Sequence, residues 1–199
     1  TVREKSVAAY KTSIKAIDDY NYVVTNAYET EKVSVSFTKV WEDANNQDGI
    51  RPETITVELL ANGKVIAEKT ISEKDKWQGS FDNLDKYESG KVGSEIVYEI
   101  NEKEVENYET EITALSKYDF VITNQHETET RDLLVEKVWE DQNDQHQKRP
   151  SKIEVTVYAD GEQIVVEKLS EDNDWRHTFA NLPVYKDGKR IVYTIEETK

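Results

Sequence analysis

Apolar and polar positions alternate along this chain in segments of about five to nine residues, rich in Val, Ile, Thr and Tyr, and a period of two is the signature of half-buried strands. Turn signals separate the segments. Asn62-Gly63 and Asp160-Gly161 sit between such runs and predict two-residue hairpins, while Asn45-Asn46-Gln47-Asp48-Gly49 reads as a polar loop. No long amphipathic stretch interrupts the pattern. With about a hundred residues per structural unit, the expected fold class is all-β, as tandem immunoglobulin-like β-sandwich domains.

The unit length follows from an internal repeat. Lys39-Val40-Trp41-Glu42-Asp43 returns as Lys137-Val138-Trp139-Glu140-Asp141, and Arg51-Pro52 as Arg149-Pro150, a shift of 98 residues. The same shift carries Trp77 onto Trp175 and Phe81 onto Phe179, and three residues are lost before Tyr98 meets Tyr193. At the start, Val7, Tyr10, Thr12, Ile14 and Tyr20 fall on Val105, Tyr108, Thr110, Ile112 and Tyr118. The chain therefore divides into a C-terminal repeat fragment (1–30), a complete repeat (31–128) and an N-terminal repeat portion (129–199). Flanks of this kind leave strands without neighbours. The expectation is that residues 129–199 of one chain are completed by residues 1–30 of another.

Side chains that share a strand face can be read off the alternation. The first strand of the complete repeat gives Val33, Val35, Phe37, Lys39 and Trp41, which places the Lys39 amine on the core face, and Lys137 repeats the anomaly beside Leu133, Val135 and Trp139. A later strand gives Ile96, Tyr98, Ile100 and Glu102. The last gives Tyr118, Phe120, Ile122 and Asn124, copied earlier as Tyr20, Tyr22, Val24 and Asn26. An amine, a carboxyl group and a carboxamide thus point into one core. A buried amine and acid can exchange a proton, leaving a nucleophilic amine and an acid able to donate to the Asn carbonyl. Attack on that carbonyl would expel ammonia and leave a Lys–Asn isopeptide bond. The alternative is a buried Lys–Glu ion pair with Asn as its hydrogen-bond partner, or a Lys head reaching water from a strand end.

Composition narrows the functions. Lys and Arg number 26 against 41 Asp and Glu, a net charge of −15 that repels nucleic acid. Four Trp, eleven Tyr and four Phe favour folded domains over an acidic disordered tail. No run approaches the roughly 20 apolar residues of a membrane span, and Thr1-Val2-Arg3-Glu4 opens no signal peptide. Thr1 is not read as a natural start, since the chain contains no Met. Without Cys there is no disulfide or thiolate chemistry. His126, His146 and His177 occupy unrelated repeat positions with no metal spacing, so no metal or other cofactor is expected. Asp43, Asn45 and Asp48 fail the spacing of a calcium loop and are expected in a solvated turn.

These residues resemble a known family, the Cna-B (collagen adhesin B-repeat) domains of Gram-positive cell-wall-anchored surface proteins. The resemblance rests on Lys39-Val40-Trp41-Glu42-Asp43, the loop Asn45–Pro52, the stretch Ile55–Gly63, the box Tyr98-x-Ile100-x-Glu102 and Ile122-Thr123-Asn124, and it covers essentially the whole chain in three pieces. It implies a reverse immunoglobulin fold and an isopeptide bond between Lys39 and Asn124 promoted by Glu102. The flanks depart from the family's pattern, since Lys137 and Glu197 come without a last strand and Glu4 and Asn26 without a Lys-bearing one; the expectation is a bond between Lys137 and Asn26 of another chain, with Glu4 or Glu197 in the promoting position, and the alternative is that the sequence is a piece of a longer array. One departure is Glu106-Asn107-Tyr108, where the family often has Pro-Gly-Tyr. The resemblance further implies an extracellular stalk or spacer of a cell-wall-anchored adhesin, in contact with its neighbouring repeats and acting as an enzyme only on itself, once. The rival reading is a module that binds a host matrix protein.

Overall fold

The structure, a computed structural model, describes residues 2–198, and Thr1 and Lys199 lie outside the described residues. Among the described residues sixteen strands follow one another: β1 (Lys11–Ala16), β2 (Tyr22–Ala27), β3 (Lys32–Glu42), β4 (Thr54–Ala61), β5 (Lys64–Ser72), β6 (Gln78–Asp85), β7 (Tyr98–Glu102), β8 (Glu109–Ser116), β9 (Asp119–Gln125), β10 (Thr130–Glu136), β11 (Lys152–Ala159), β12 (Glu162–Ser170), β13 (Arg176–Pro183), β14 (Tyr185–Lys186), β15 (Lys189–Arg190) and β16 (Tyr193–Thr198). The fold is the all-β, immunoglobulin-like sandwich that the alternation predicts. Its sheets have the orders β6-β3-β9-β8 and β5-β4-β7, then β12-β11-β16 and the pairs β10-β13, β14-β15 and β1-β2.

The chain forms two compact units, one of Thr1–Lys39, Thr54–Glu104 and Ile112–Ile122, the other of Val40–Glu53, Val105–Glu111 and Thr123–Lys199. In the first unit the core is made of the inward alternation itself: Val35 and Phe37 of β3, Ile55, Val57 and Leu59 of β4, Ile71, Phe81, Tyr98, Ile100, Phe120 and Ile122 are all buried. The β1-β2 hairpin has a full antiparallel register from Lys11↔Ala27 to Ala16↔Tyr22, yet every residue in it is exposed. In the second unit Ile153, Val155, Leu169 and Trp175 form the core, with Val135 and Trp139 packed against it.

Local devices recur with the repeat. The hairpins β4-β5 and β11-β12 turn on Asn62-Gly63 and Asp160-Gly161, with φ positive at both residues of each pair, the geometry that an Asn-Gly or Asp-Gly turn is suited to adopt. Both carry a bulge one turn earlier, at Leu59/Leu60 and at Val157/Tyr158. Short 3₁₀ helices at Glu73–Asp75 and Glu171–Asn173 follow Ser72 and Ser170, whose backbone N–H groups donate to Asp75 and Asn173. One core pair differs between repeats. Phe37 stands opposite Gly79 in the β3-β6 register, whereas their counterparts Val135 and His177 face each other between β10 and β13.

Candidate functional site

β3 places Lys39 one pleat beyond Phe37, and β7 places Glu102 one pleat beyond Ile100, so continuing each apolar face carries a charged group inward. The Val57↔Glu102 register between β4 and β7 fixes the height of the carboxyl group. Lys39 Nζ lies 3.5 Å from Glu102 Oε1, and neither side chain is exposed to solvent at all. This is the buried amine and acid expected from the alternation.

Asn124 lies at the end of β9, two residues past the buried Ile122, and is fully buried itself. Its Oδ1 accepts a hydrogen bond of 2.8 Å from the Thr110 hydroxyl, and its Nδ2 is buried without a hydrogen-bond partner among the described residues. The sheet order sets β3 beside β9. Chemically, the inventory is a desolvated amine, a desolvated carboxyl group and a carboxamide whose nitrogen takes part in no hydrogen bond among the described residues.

The flanks contain the other halves of the same constellation. Lys137 Nζ is 2.9 Å from Glu197 Oε2, with side chains 25% and 44% exposed, and Glu197 pairs with Val155 as Glu102 pairs with Val57. In the exposed β1-β2 hairpin, Asn26 Nδ2 donates to Glu4 Oε1 at 2.9 Å and Asn26 Oδ1 accepts from Thr12 at 2.6 Å. The chain thus brings Lys39 to Glu102, Lys137 to Glu197 and Asn26 to Glu4. Among the described residues no group of three or more His, Asp or Glu could hold a metal ion.

The loop after β3 corrects one expectation. Asn45 is solvated, but Asp43 and Asp48 are buried. Asp43 takes two hydrogen bonds from the Arg51 guanidinium, at 2.9 and 2.6 Å, one from the Asn46 backbone N–H and one from the Tyr108 hydroxyl. Burial alone would raise its pKa, but these donors outweigh it and hold the carboxyl below the ordinary aspartate value. Trp41 completes the clasp, edge-on to Tyr108 and 5.3 Å beneath the Arg51 cation. The Asp141–Arg149 pair over Trp139 repeats it. Asn107 adopts a left-handed φ of 65°, the conformation for which the family's Gly is suited, so the departed Pro-Gly-Tyr still delivers its tyrosine.

Asp48 is buried for a different reason. Its Oδ2 accepts from the Glu129 backbone N–H at 2.7 Å and meets His126 Nε2 at 2.9 Å, while His126 Nδ1 lies 3.0 Å from the Asn107 carbonyl. Both ring nitrogens face acceptors, an arrangement that only the doubly protonated imidazole satisfies. Burial would lower this histidine's pKa, but the bonds to Asp48 and Asn107 prevail and raise it.

Comparison with known proteins identifies the family. The family model for the Cna protein B-type domain matches residues 35–125 and 133–199. A collagen adhesin of Staphylococcus aureus is 37% identical over 99% of this chain, which spans 16% of that relative's length. The crystal structure of two B repeat units of the collagen binding protein of S. aureus superposes with a TM-score of 0.76 at 33% identity, over 96% of this chain and 50% of that one. A single B repeat unit of the same protein is 35% identical over 85% of this chain and 87% of its own, with a TM-score of 0.42. The chain belongs to the Cna protein B-type domain family.

Proposed function

We propose that the chain is a load-bearing spacer from the stalk of a bacterial surface adhesin, and that its complete repeat is closed by an amide bond between Lys39 Nζ and Asn124 Cγ. The amine attacks the carboxamide carbon, Glu102 relays a proton from the amine to the departing nitrogen, and ammonia leaves. The reaction is self-directed and occurs once. The observation that carries this reading is the Lys39–Glu102 pair, 3.5 Å apart with both side chains fully removed from solvent. A buried ion pair gives up hydration that its Coulomb attraction rarely returns, so chemistry that consumes the charge is favoured. The buried, unpartnered Asn124 Nδ2 adds a second liability that expulsion as ammonia would remove.

The mechanical argument follows from the sheet order. Load enters the repeat along β3 and leaves along β9, neighbours in one sheet, so a covalent tie between them carries the pull past the rest of the sandwich. In the chain-entropy treatment of cross-links, closing a loop of about a hundred residues also stabilises the fold by roughly 4–5 kcal/mol. Pulling single molecules by their ends tests this reading. The intact chain should withhold the contour length between residues 39 and 124, and a Lys39→Ala chain should release it. Release of that length by both chains would refute the spacer function.

The location follows from the same reading, as the outer surface of a Gram-positive cell wall. We further propose that the flanks complement one another between chains. The exposed β1-β2 hairpin of one copy would add to β10 of another, whose only sheet neighbour among the described residues is β13, bringing Asn26 to Lys137. Denaturing electrophoresis should then give a ladder that survives boiling, and a lone monomer band would remove this part of the proposal. The relative's name favours a second reading, direct adhesion to a matrix protein. Retention of the chain on immobilised collagen would support it over a spacer.

A further inference from the structure

The residue facing the asparagine is the same in both hairpins. Thr12 stands opposite Asn26 in the β1-β2 register and donates to its Oδ1 at 2.6 Å, and Thr110 donates to Asn124 Oδ1 at 2.8 Å. The third group settles which end of the carboxamide the threonine meets. Asn26 Nδ2 donates to Glu4 Oε1 at 2.9 Å, and because a carboxylate can only accept, Oδ1 must be the atom turned to Thr12. One hairpin is exposed along its whole length, whereas Asn124 is fully buried. The threonine contact is therefore set by strand pairing and does not depend on burial.

Resting on the Lys39–Asn124 reading, we propose that Thr110 is the hydroxyl donor that stabilises the oxyanion of bond formation. When the amine adds to Asn124 Cγ, the carbonyl π pair moves onto Oδ1, the atom the Thr110 hydroxyl already contacts. A donor already aimed at developing charge acts without reorganising, and here Thr110 is itself exposed while the Asn124 carboxamide it contacts is buried. Collapse re-forms the C=O bond and breaks Cγ–Nδ2. That nitrogen takes the amine's proton through the Glu102 carboxyl and departs as ammonia, while Thr110 keeps its own proton. The same hydrogen bond holds the carboxamide so that Nδ2 points away from the threonine.

Removal of a single oxyanion donor commonly slows acyl transfer by about a hundredfold to a thousandfold. Thr110 already binds the ground-state amide, which cancels part of that effect, so about tenfold to a hundredfold is expected here. The experiment follows ammonia loss by intact mass after cell-free synthesis of the full chain, for the unaltered protein, Thr110→Val and Thr110→Ser, with circular dichroism recorded for each. Thr110→Val keeps the side-chain shape and should react slowly while folded, and Thr110→Ser should restore most of the rate. Equal rates for the unaltered and valine chains would overturn the role of Thr110 while leaving the bond intact. A serine chain as slow as the valine chain would also overturn it. Failure of the unaltered chain to lose ammonia at all would instead strike the Lys39–Asn124 reading beneath it.

Discussion

At the scale of single residues, the chemistry-bearing groups were legible where the backbone has a period and invisible where it does not. Lys39, Glu102 and Asn124 each continue an apolar strand face, so alternation alone placed them inside. Asp43 and Asp48 lie in a loop, and composition pointed to solvent. The missed signal was the recurrence of Asp43 and Arg51 at the same separation as Asp141 and Arg149, which marks a side-chain pair, while the Asp48–His126 contact joins residues 78 apart with no counterpart at Tyr28 and His146. The Asp43 clasp has a definite pH signature. Its folded pKa lies below its unfolded one, so its contribution is fully present above the unfolded value and is lost as pH falls through the folded value. Arg51→Ala strands a buried carboxylate and should cost about 3 kcal/mol at neutral pH, with a flatter loss of stability on acidification. Denaturant titrations at several pH values check both, and an unchanged midpoint would show that the clasp contributes nothing.

At the scale of strands and turns, the repeat predicted more than its own boundaries. Two type I′ turns, two bulges and two 3₁₀ caps recur at equivalent positions because the local sequence dictates each of them. Packing across strands was less legible, since it depends on pairs. A Cβ on Gly79 would lie 2.4 Å from Phe37 Cζ, while the other repeat has Val135 facing His177, trading bulk from one strand to its neighbour. Gly79→Ala should therefore destabilise by about 1–3 kcal/mol through overpacking. Adding Phe37→Val should recover part of this, giving a double mutant less damaged than the sum of the singles by about 1 kcal/mol. Strict additivity in denaturant unfolding would show that the two positions are not coupled in this way.

At the scale of the whole molecule, the sequence separated three repeat pieces, but not the way contacts gather in the folded chain. The second compact unit takes in Val40–Glu53 and Val105–Glu111 as well as Thr123–Lys199. Within it the Gly188 N–H donates to the Gln47 carbonyl at 2.9 Å, and a Cβ on Gly49 would come within 2.4 Å of Gly188 Cα. With the Asp48–His126 and Asp48–Glu129 bonds, this gives the segment at Gln47–Gly49 several ties to residues far along the chain. The covalent closure of the complete repeat remains the property on which the account turns. Its most direct measurement is the mass of the denatured chain followed by sequencing of its cross-linked peptides. The account predicts loss of one ammonia for the complete repeat and a branched peptide joining Lys39 to Asn124, both absent after Lys39→Ala. A full, unreduced mass with separate Lys39 and Asn124 peptides would contradict it.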